Sequence, residues 1–122
     1  CSFRTAEMYL TAAEASARLN ETETAISYLT PLLENRLNAS ALQNTAELMD
    51  NMSQEDLIQE IMDERARELA FEGHRWFDLR RTTRPALTRK YDGITYTIQP
   101  EQYTMRFPSE AVEANPEIER WD

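Results

Sequence analysis

Apolar residues recur at helical spacing from Thr5 to Leu19, where Met8, Tyr9, Ala12, Ala13, Ala15 and Leu19 mark one face of a first helix. Its alanines supply both helix propensity and room for a close neighbour. Asn20-Glu21-Thr22-Glu23 carries turn and cap chemistry, and Ala25, Ile26, Leu29, Leu32 and Leu33 then predict a second helix that ends near Leu37. Two helices joined by so short a turn pack antiparallel. Pro31 removes a backbone donor from the second helix, and a kink is expected there.

Residues 38–51 are polar and read as a connector, with one short helix around Leu42 to Met49. Ser53 followed by Asp56 opens the next strong helix as a capping box with Asp in place of the usual Glu or Gln. Leu57, Ile58, Ile61, Met62, Leu69 and Phe71 keep its apolar side occupied. Gly73 stands where a left-handed residue ends that helix, and a short helix from His74 to Arg81 follows until Pro85. Beyond Pro85 the period changes. Ile94, Tyr96 and Ile98 alternate with threonines after the turn signal Asp92-Gly93, and Tyr103, Met105 and Phe107 alternate likewise, so a small antiparallel ribbon is expected around residues 99–102. Pro108-Ser109-Glu110-Ala111 opens a helical turn, and Asn115-Pro116 marks a polar tail. The fold class is mainly α: a helix pair over residues 1–37, a charged helix-Gly-helix over 53–81, and a loop-rich last third over 82–122 holding a small β-ribbon.

Charge sharpens this picture. The chain carries a net charge of -9, but residues 65–90 hold 8 basic and 3 acidic side chains between two acidic flanks. Arginine outnumbers lysine 12 to 1, and its planar fork favours fixed, bidentate pairing. On a helix, Asp63 meets Arg67, Arg65 meets Glu68, Glu72 meets Arg75 and Asp78 meets Arg81. Arg65, Glu68, Glu72, Arg75 and Asp78 are therefore expected to form a linked network where the long and short helices join. Trp76 should seal the apolar side there, with Arg80 over its ring.

The same charges exclude several chemistries. Glu64, Glu68, Glu72 and His74 resemble an acid/base or metal constellation, but a helical dimetal motif needs His three residues after Glu, and here Glu72 and His74 are two apart. His74 is the only histidine, which rules out a zinc-protease pair. Each carboxylate also has an arginine within a turn, the opposite of a poised acid. Two glycines make no phosphate-cradling loop, no serine or cysteine sits in a nucleophile elbow, and a net -9 repels a polyanion. No catalytic residue, metal, cofactor or nucleic-acid partner is expected. Tyr91, Tyr96, Tyr103 and Trp121 are the side chains able to offer a flat face to a sugar ring, although tyrosine alternating with threonine is also ordinary sheet packing.

Tyr9, Ala13, Ala25 and Leu29 fall where a tetratricopeptide repeat puts its packing residues, with Ser16 and Leu32 departing from the pattern and no second copy at the expected period. Over nearly its whole length, the chain resembles the C-terminal part of the SusD/RagB family of outer-membrane nutrient-binding lipoproteins. The residues that carry the likeness are Arg4-Thr5-Ala6-Glu7-Met8-Tyr9-Leu10 with Ala12-Ala13-Glu14-Ala15, the stretch from Glu64-Arg65 to Arg81, Arg106-Phe107-Pro108, and Asn115-Pro116. The resemblance implies a non-catalytic module, several times longer in its complete members, that holds a glycan or other large nutrient beside a TonB-dependent, SusC-like transporter. It implies lipid anchoring on the extracellular face of the outer membrane, through an anchor outside this segment. Cys1-Ser2 has the form of an acylated lipoprotein start, yet a helical pattern opens within a few residues and the resemblance places Cys1 inside the parent sequence, so it reads as a lone small hydrophobe. One cysteine permits no intrachain disulfide. The family's glycan-gripping residues match nothing here, and none is carried over. The alternative reading is a tetratricopeptide-like scaffold for a protein partner.

Overall fold

The computed structural model describes residues 4–105 and 107–115; expectations that fall on Cys1, Arg106, Pro116 and Trp121 lie outside these residues. The chain is mainly helical, with a small two-stranded antiparallel sheet in its C-terminal part. It divides into two compact units, residues 1–76 and 77–122.

In the first unit α1 (Thr5–Arg18), α2 (Thr22–Glu34), α3 (Ala39–Met49) and α4 (Gln54–Glu68) follow one another. Helix α1 packs on α2 and α4, and α3 lies against α2. Their shared core holds Leu10, Ala13, Leu29, Met49, Leu57 and Ile61, all buried. Each large aliphatic side chain buried there contributes about 1.5–3 kcal/mol. An exposed ion pair contributes under about 1. The apolar stripes, not the charges, therefore set the helix arrangement. Helix α1 stops by a left-handed cap in which Asn20 takes φ 62°, the Glu21 N–H donates to Ser16 O and the Asn20 N–H to Ala17 O, the two bonds of a Schellman motif. Pro31 lies within α2, which ends at Glu34, three residues before the expected end.

Three sequence expectations are corrected in this unit. Met8, Tyr9, Ala15 and Leu19, drawn on the apolar face of α1, are exposed, and the helix buries Leu10 and Ala17 with Ala13 against its neighbours. The polar connector holds an eleven-residue helix, α3, started by Asn38, whose side chain accepts from the Ala41 N–H at 2.9 Å. Helix α4 begins as expected: Ser53 Oγ accepts from the Asp56 N–H, and its hydroxyl donates to Asp56 Oδ2, which is too short to reach back to the backbone. It ends at Glu68, not at Gly73. After the cap residue Leu69 the chain turns, Phe71 takes φ 65° with its ring fully exposed, and Gly73 takes φ 84° just before the next helix. Phe71 thus leaves the apolar side expected of it, because the helix on which that face was drawn has already stopped. Gly73 is left-handed as expected, but it introduces the short helix α5 (His74–Arg81) instead of closing the long one.

Helix α5 runs from the end of the first unit into the second, which also holds β1 (Leu87–Tyr91), β2 (Ile94–Ile98), a 3-10 turn at Pro100–Tyr103 and α6 (Ser109–Ala114). The ribbon differs from expectation in its pairing. Ile94–Ile98 pairs with the preceding Leu87–Tyr91, from Leu87↔Ile98 to Tyr91↔Ile94, and not with residues 103–107. The two-residue turn decides it: Asp92 (φ 47°) and Gly93 (φ 75°) take the left-handed pair of angles whose twist matches a hairpin. Pro100 fixes its own φ and opens a 3-10 turn through Tyr103, so Tyr103 is not in the sheet.

Candidate functional site

The densest polar cluster of the first unit gathers on Glu68, the last residue of α4. Arg4, at the start of α1, donates from Nη1 to the Glu68 carbonyl at 3.0 Å and from Nη2 to Glu68 Oε1 at 2.6 Å, and its Nη1 also pairs with the Glu72 carboxylate. Arg36, just past α2, grips the same carboxylate with both arms, Nε to Oε2 and Nη2 to Oε1, each at 2.8 Å. The Glu68 side chain is only 6% exposed. The hydrogen bonds from Arg36, followed by the attraction of Arg36 and Arg4, outweigh desolvation and hold its carboxyl below the usual carboxylate range. The Arg36 guanidinium is raised in turn, chiefly by its hydrogen bonds to Glu68. Arg4 also caps an otherwise open helix carbonyl, so one side chain closes the end of α4 and holds the turn carrying Phe71.

Neighbouring charges are engaged in similar ways. Burial pulls the Arg67 guanidinium down, but its hydrogen bonds to Glu64 at 2.8 Å and Glu60 at 2.5 Å leave it raised. Arg75 reaches Asp63 at 3.9 Å and the Met62 carbonyl at 3.4 Å, while His74 Nδ1 stands 3.6 Å from Glu7. Arg65 is buried and donates to Thr11 Oγ1 at 3.2 Å. In the second unit Arg81 grips the buried Asp78 at 2.8 and 3.1 Å. Trp76 is half-buried. Of the sequence-predicted network, Glu68 and Glu72 are brought together by Arg4, and Asp78 takes Arg81 as the spacing implied. Arg4 and Arg36 were not anticipated. They lie 64 and 32 residues from Glu68, beyond any intrahelical spacing rule, although the stretch from Arg4 to Leu10 already carried part of the family likeness.

The acid/base constellation behaves as ion pairs: Glu64 is held by Arg67, Glu68 by Arg4 and Arg36, and Glu72 by Arg4. Among the described residues no group of three His, Cys, Asp or Glu stands as a metal cage. A depression between Leu29, Leu33, Thr45, Met49, Glu60 and Glu64 leaves about 10 Å³, which barely admits one water and no sugar ring. No described helix is long and apolar enough to cross a membrane.

The tyrosines separate sharply. Tyr91 and Tyr96 on the ribbon are 76% and 52% exposed. Tyr103 is 1% exposed and donates its hydroxyl to the Pro85 carbonyl at 2.8 Å, so it packs as a core side chain of the second unit.

The described residues thus combine a helical body in which Glu64, Glu68 and Glu72 are engaged by arginines with a ribbon on which two tyrosines lie exposed. The chain belongs to the SusD family, whose model matches residues 1–120. That family is one of glycan-binding nutrient-uptake proteins of the cell surface, generally outer-membrane lipoproteins associated with SusC-like transporters, and is known as non-catalytic. Comparison with curated proteins gives no match.

Proposed function

We propose that this chain is the C-terminal segment of a non-catalytic, lipid-anchored protein of the outer-membrane surface, which binds a glycan or other oligomeric nutrient and works with a TonB-dependent, SusC-like transporter in its uptake. The observation that carries the reading is the family match over residues 1–120. The arginine-bound carboxylates support it from the side of chemistry, since the groups nearest to an acid/base set are engaged in holding helices together. The segment's part in the whole protein is to build the helical frame, with residues 1–37 as a tetratricopeptide-like helix pair.

Isothermal titration of the full-length protein and of these 122 residues against a panel of oligosaccharides tests the proposal. At least one sugar should bind the full-length protein, while the segment alone shows no measurable heat at millimolar ligand. Absence of binding by the full-length protein to every sugar would refute glycan capture. A second reading, a scaffold for a protein or peptide, is favoured by one feature: Ala13, Ala25 and Leu29 are buried where α1 and α2 meet, as in a tetratricopeptide pair. A leader ending at a lipobox cysteine, beside a gene for a TonB-dependent receptor, would favour the first reading. A reading frame with neither would favour the second.

A further inference from the structure

The ribbon has two unlike faces. Its register places Leu87, Arg89 and Tyr91 on one face with Ile94, Tyr96 and Ile98, and Thr88, Lys90, Thr95 and Thr97 on the other. Leu87 and Ile98 are half-buried at the base of the first face. Beyond them Arg89, Tyr91, Ile94 and Tyr96 all lie exposed. The opposite face is polar and closed on itself by a Thr88–Thr97 hydroxyl bond of 3.1 Å. The exposed aromatic groups thus sit together on one side, as a platform and not as scattered surface residues.

Arg89 supplies an independent observation. Arg4, Arg18, Arg36, Arg67 and Arg81 each have a carboxylate within 3 Å, whereas among the described residues Arg84 bonds only the Arg80 carbonyl and Arg89 is placed in the same way. Among the described residues none stands within ion-pair distance of Arg89, whose contact is a 3.2 Å bond to the neighbouring Thr88 carbonyl. Of the cations without a carboxylate, Arg89 is the one placed directly across from Tyr96 and two residues along the strand from Tyr91, with Nε and Nη2 not engaged by any described residue.

We propose that Arg89, Tyr91 and Tyr96 form a subsite for an acidic oligosaccharide. This rests on the glycan-binding reading above and names the ligand class of one part of it. The tyrosine rings offer apolar faces to the C–H faces of successive sugars, and their hydroxyls meet ring hydroxyls. The arginine fork takes an anionic group of the sugar, a carboxylate or a sulfate, by charge-assisted hydrogen bonds. A net charge of -9 repels a long polyanion, so the ligand is a short oligomer whose charge is met at contact range by Arg89, within the basic stretch 65–90. Tyr96 and Arg89 are a directly opposed pair, with Cβ atoms about 4.5–5.5 Å apart, and Tyr91 is the diagonal neighbour of Tyr96 at roughly 7–8 Å. A short oligomer laid along the Tyr96–Tyr91 diagonal therefore meets both rings, with the cation of Arg89 beside it at the corner between them. The subsite adds to a site whose larger part lies outside this segment, which is why the segment alone binds weakly.

Titration of the full-length protein with an oligogalacturonate, which carries carboxylates alone, a kappa-carrageenan hexasaccharide, which carries sulfates alone, and maltohexaose separates the outcomes. One of the two anionic sugars should bind, identifying carboxylate or sulfate. Arg89→Gln should weaken it by at least about tenfold, the loss expected of a charge-assisted bond, and leave any maltohexaose affinity unchanged. Tyr91→Ala and Tyr96→Ala should weaken whichever sugar binds, and Thr95→Ala on the opposite face should not. An anionic sugar that binds all of these variants equally overturns the subsite and leaves the glycan-binding function standing. Binding of maltohexaose alone overturns the acidic class. No heat with any sugar removes function and subsite together. If Tyr91→Ala and Tyr96→Ala lower the melting temperature and change no affinity, the face is covered by protein and the proposal fails.

Discussion

Replacing Glu68 by Gln keeps the shape of the side chain and removes the charge on which Arg4 and Arg36 converge. The carboxylate is nearly inaccessible and receives three guanidinium hydrogen bonds of 2.6–2.8 Å. A buried pair that loses one partner costs about 3–5 kcal/mol, and an exposed pair under about 1. Both arginines are more than a third open to solvent, at 35% and 46%, so water recovers much of what they lose. The cost of Glu68→Gln should therefore fall between these limits, at about 1–3 kcal/mol at pH 7. Urea unfolding reads this as a lower midpoint at unchanged slope. A cycle of Arg4→Gln, Glu68→Gln and the double variant isolates the pair, with a coupling of about 0.5 kcal/mol or more. The pH dependence has a fixed sign. The folded-state pKa of Glu68 lies below the unfolded one, so its contribution is present above about pH 4.3, the ordinary Glu value, and fades as pH falls through the folded pKa. Wild type and variant should thus converge in acid. Additive single substitutions, or a stability gap that persists to low pH, would refute this account of the cluster.

Tyr103→Phe removes the bond to the Pro85 carbonyl and should cost about 1 kcal/mol, or more if the carbonyl is left without a partner; an unchanged melting temperature would contradict a structural role. At Gly73 an added Cβ meets nothing within 4 Å, so Gly73→Ala should cost only the left-handed backbone penalty, about 1 kcal/mol in a denaturation midpoint. Phe71 shares that backbone region and buries nothing, and Phe71→Gly should therefore be neutral or raise stability by up to about 1 kcal/mol. A clear loss there would mean that the ring packs against something.

What local pattern encodes was readable along this chain. The stripes of α2 and α4, the Ser53 start and the left-handed Gly73 all follow from periodicity and cap chemistry that act within a few residues. Helix α1 was readable as a helix but its inner face was not: of Leu10, Ala13 and Ala17, only Ala13 lay on the expected stripe. The end of α4 was not readable. Leu69 and Phe71 continue the apolar spacing past Glu68, but Phe71 takes a left-handed angle, and the carbonyl and carboxylate at the helix end are taken up by Arg4, 64 residues away. Intrahelical spacing likewise assigned Glu68 to Arg65, whereas its main partners come from other elements. Helix α3 was expected around Leu42 to Met49 and ends there, but its start at Ala39 was missed, although Asn38 was a fair start signal. For the ribbon, residues 103–107 alternate more cleanly than Leu87–Tyr91, where Arg89 interrupts the apolar set, yet the geometry of the two-residue turn pairs the latter with Ile94–Ile98. Tyr103 had the same alternation as Tyr96. Only the 3-10 turn after Pro100 separates a buried tyrosine from an open one.

The length of the Asp92–Gly93 turn has a consequence for how this surface changes in evolution. Side chains on a strand alternate, so a one-residue slip in pairing exchanges its faces. An insertion or deletion of a single residue at the turn that shifted β2 against β1 would place Thr95 and Thr97 beside Arg89 and Tyr91, while Ile94, Tyr96 and Ile98 moved to the side of Lys90. The aromatic platform would be divided between two sides without any substitution in either strand. Variation in loop length at this one position is thus a coarse control on the surface, and point changes within the strands are the fine one.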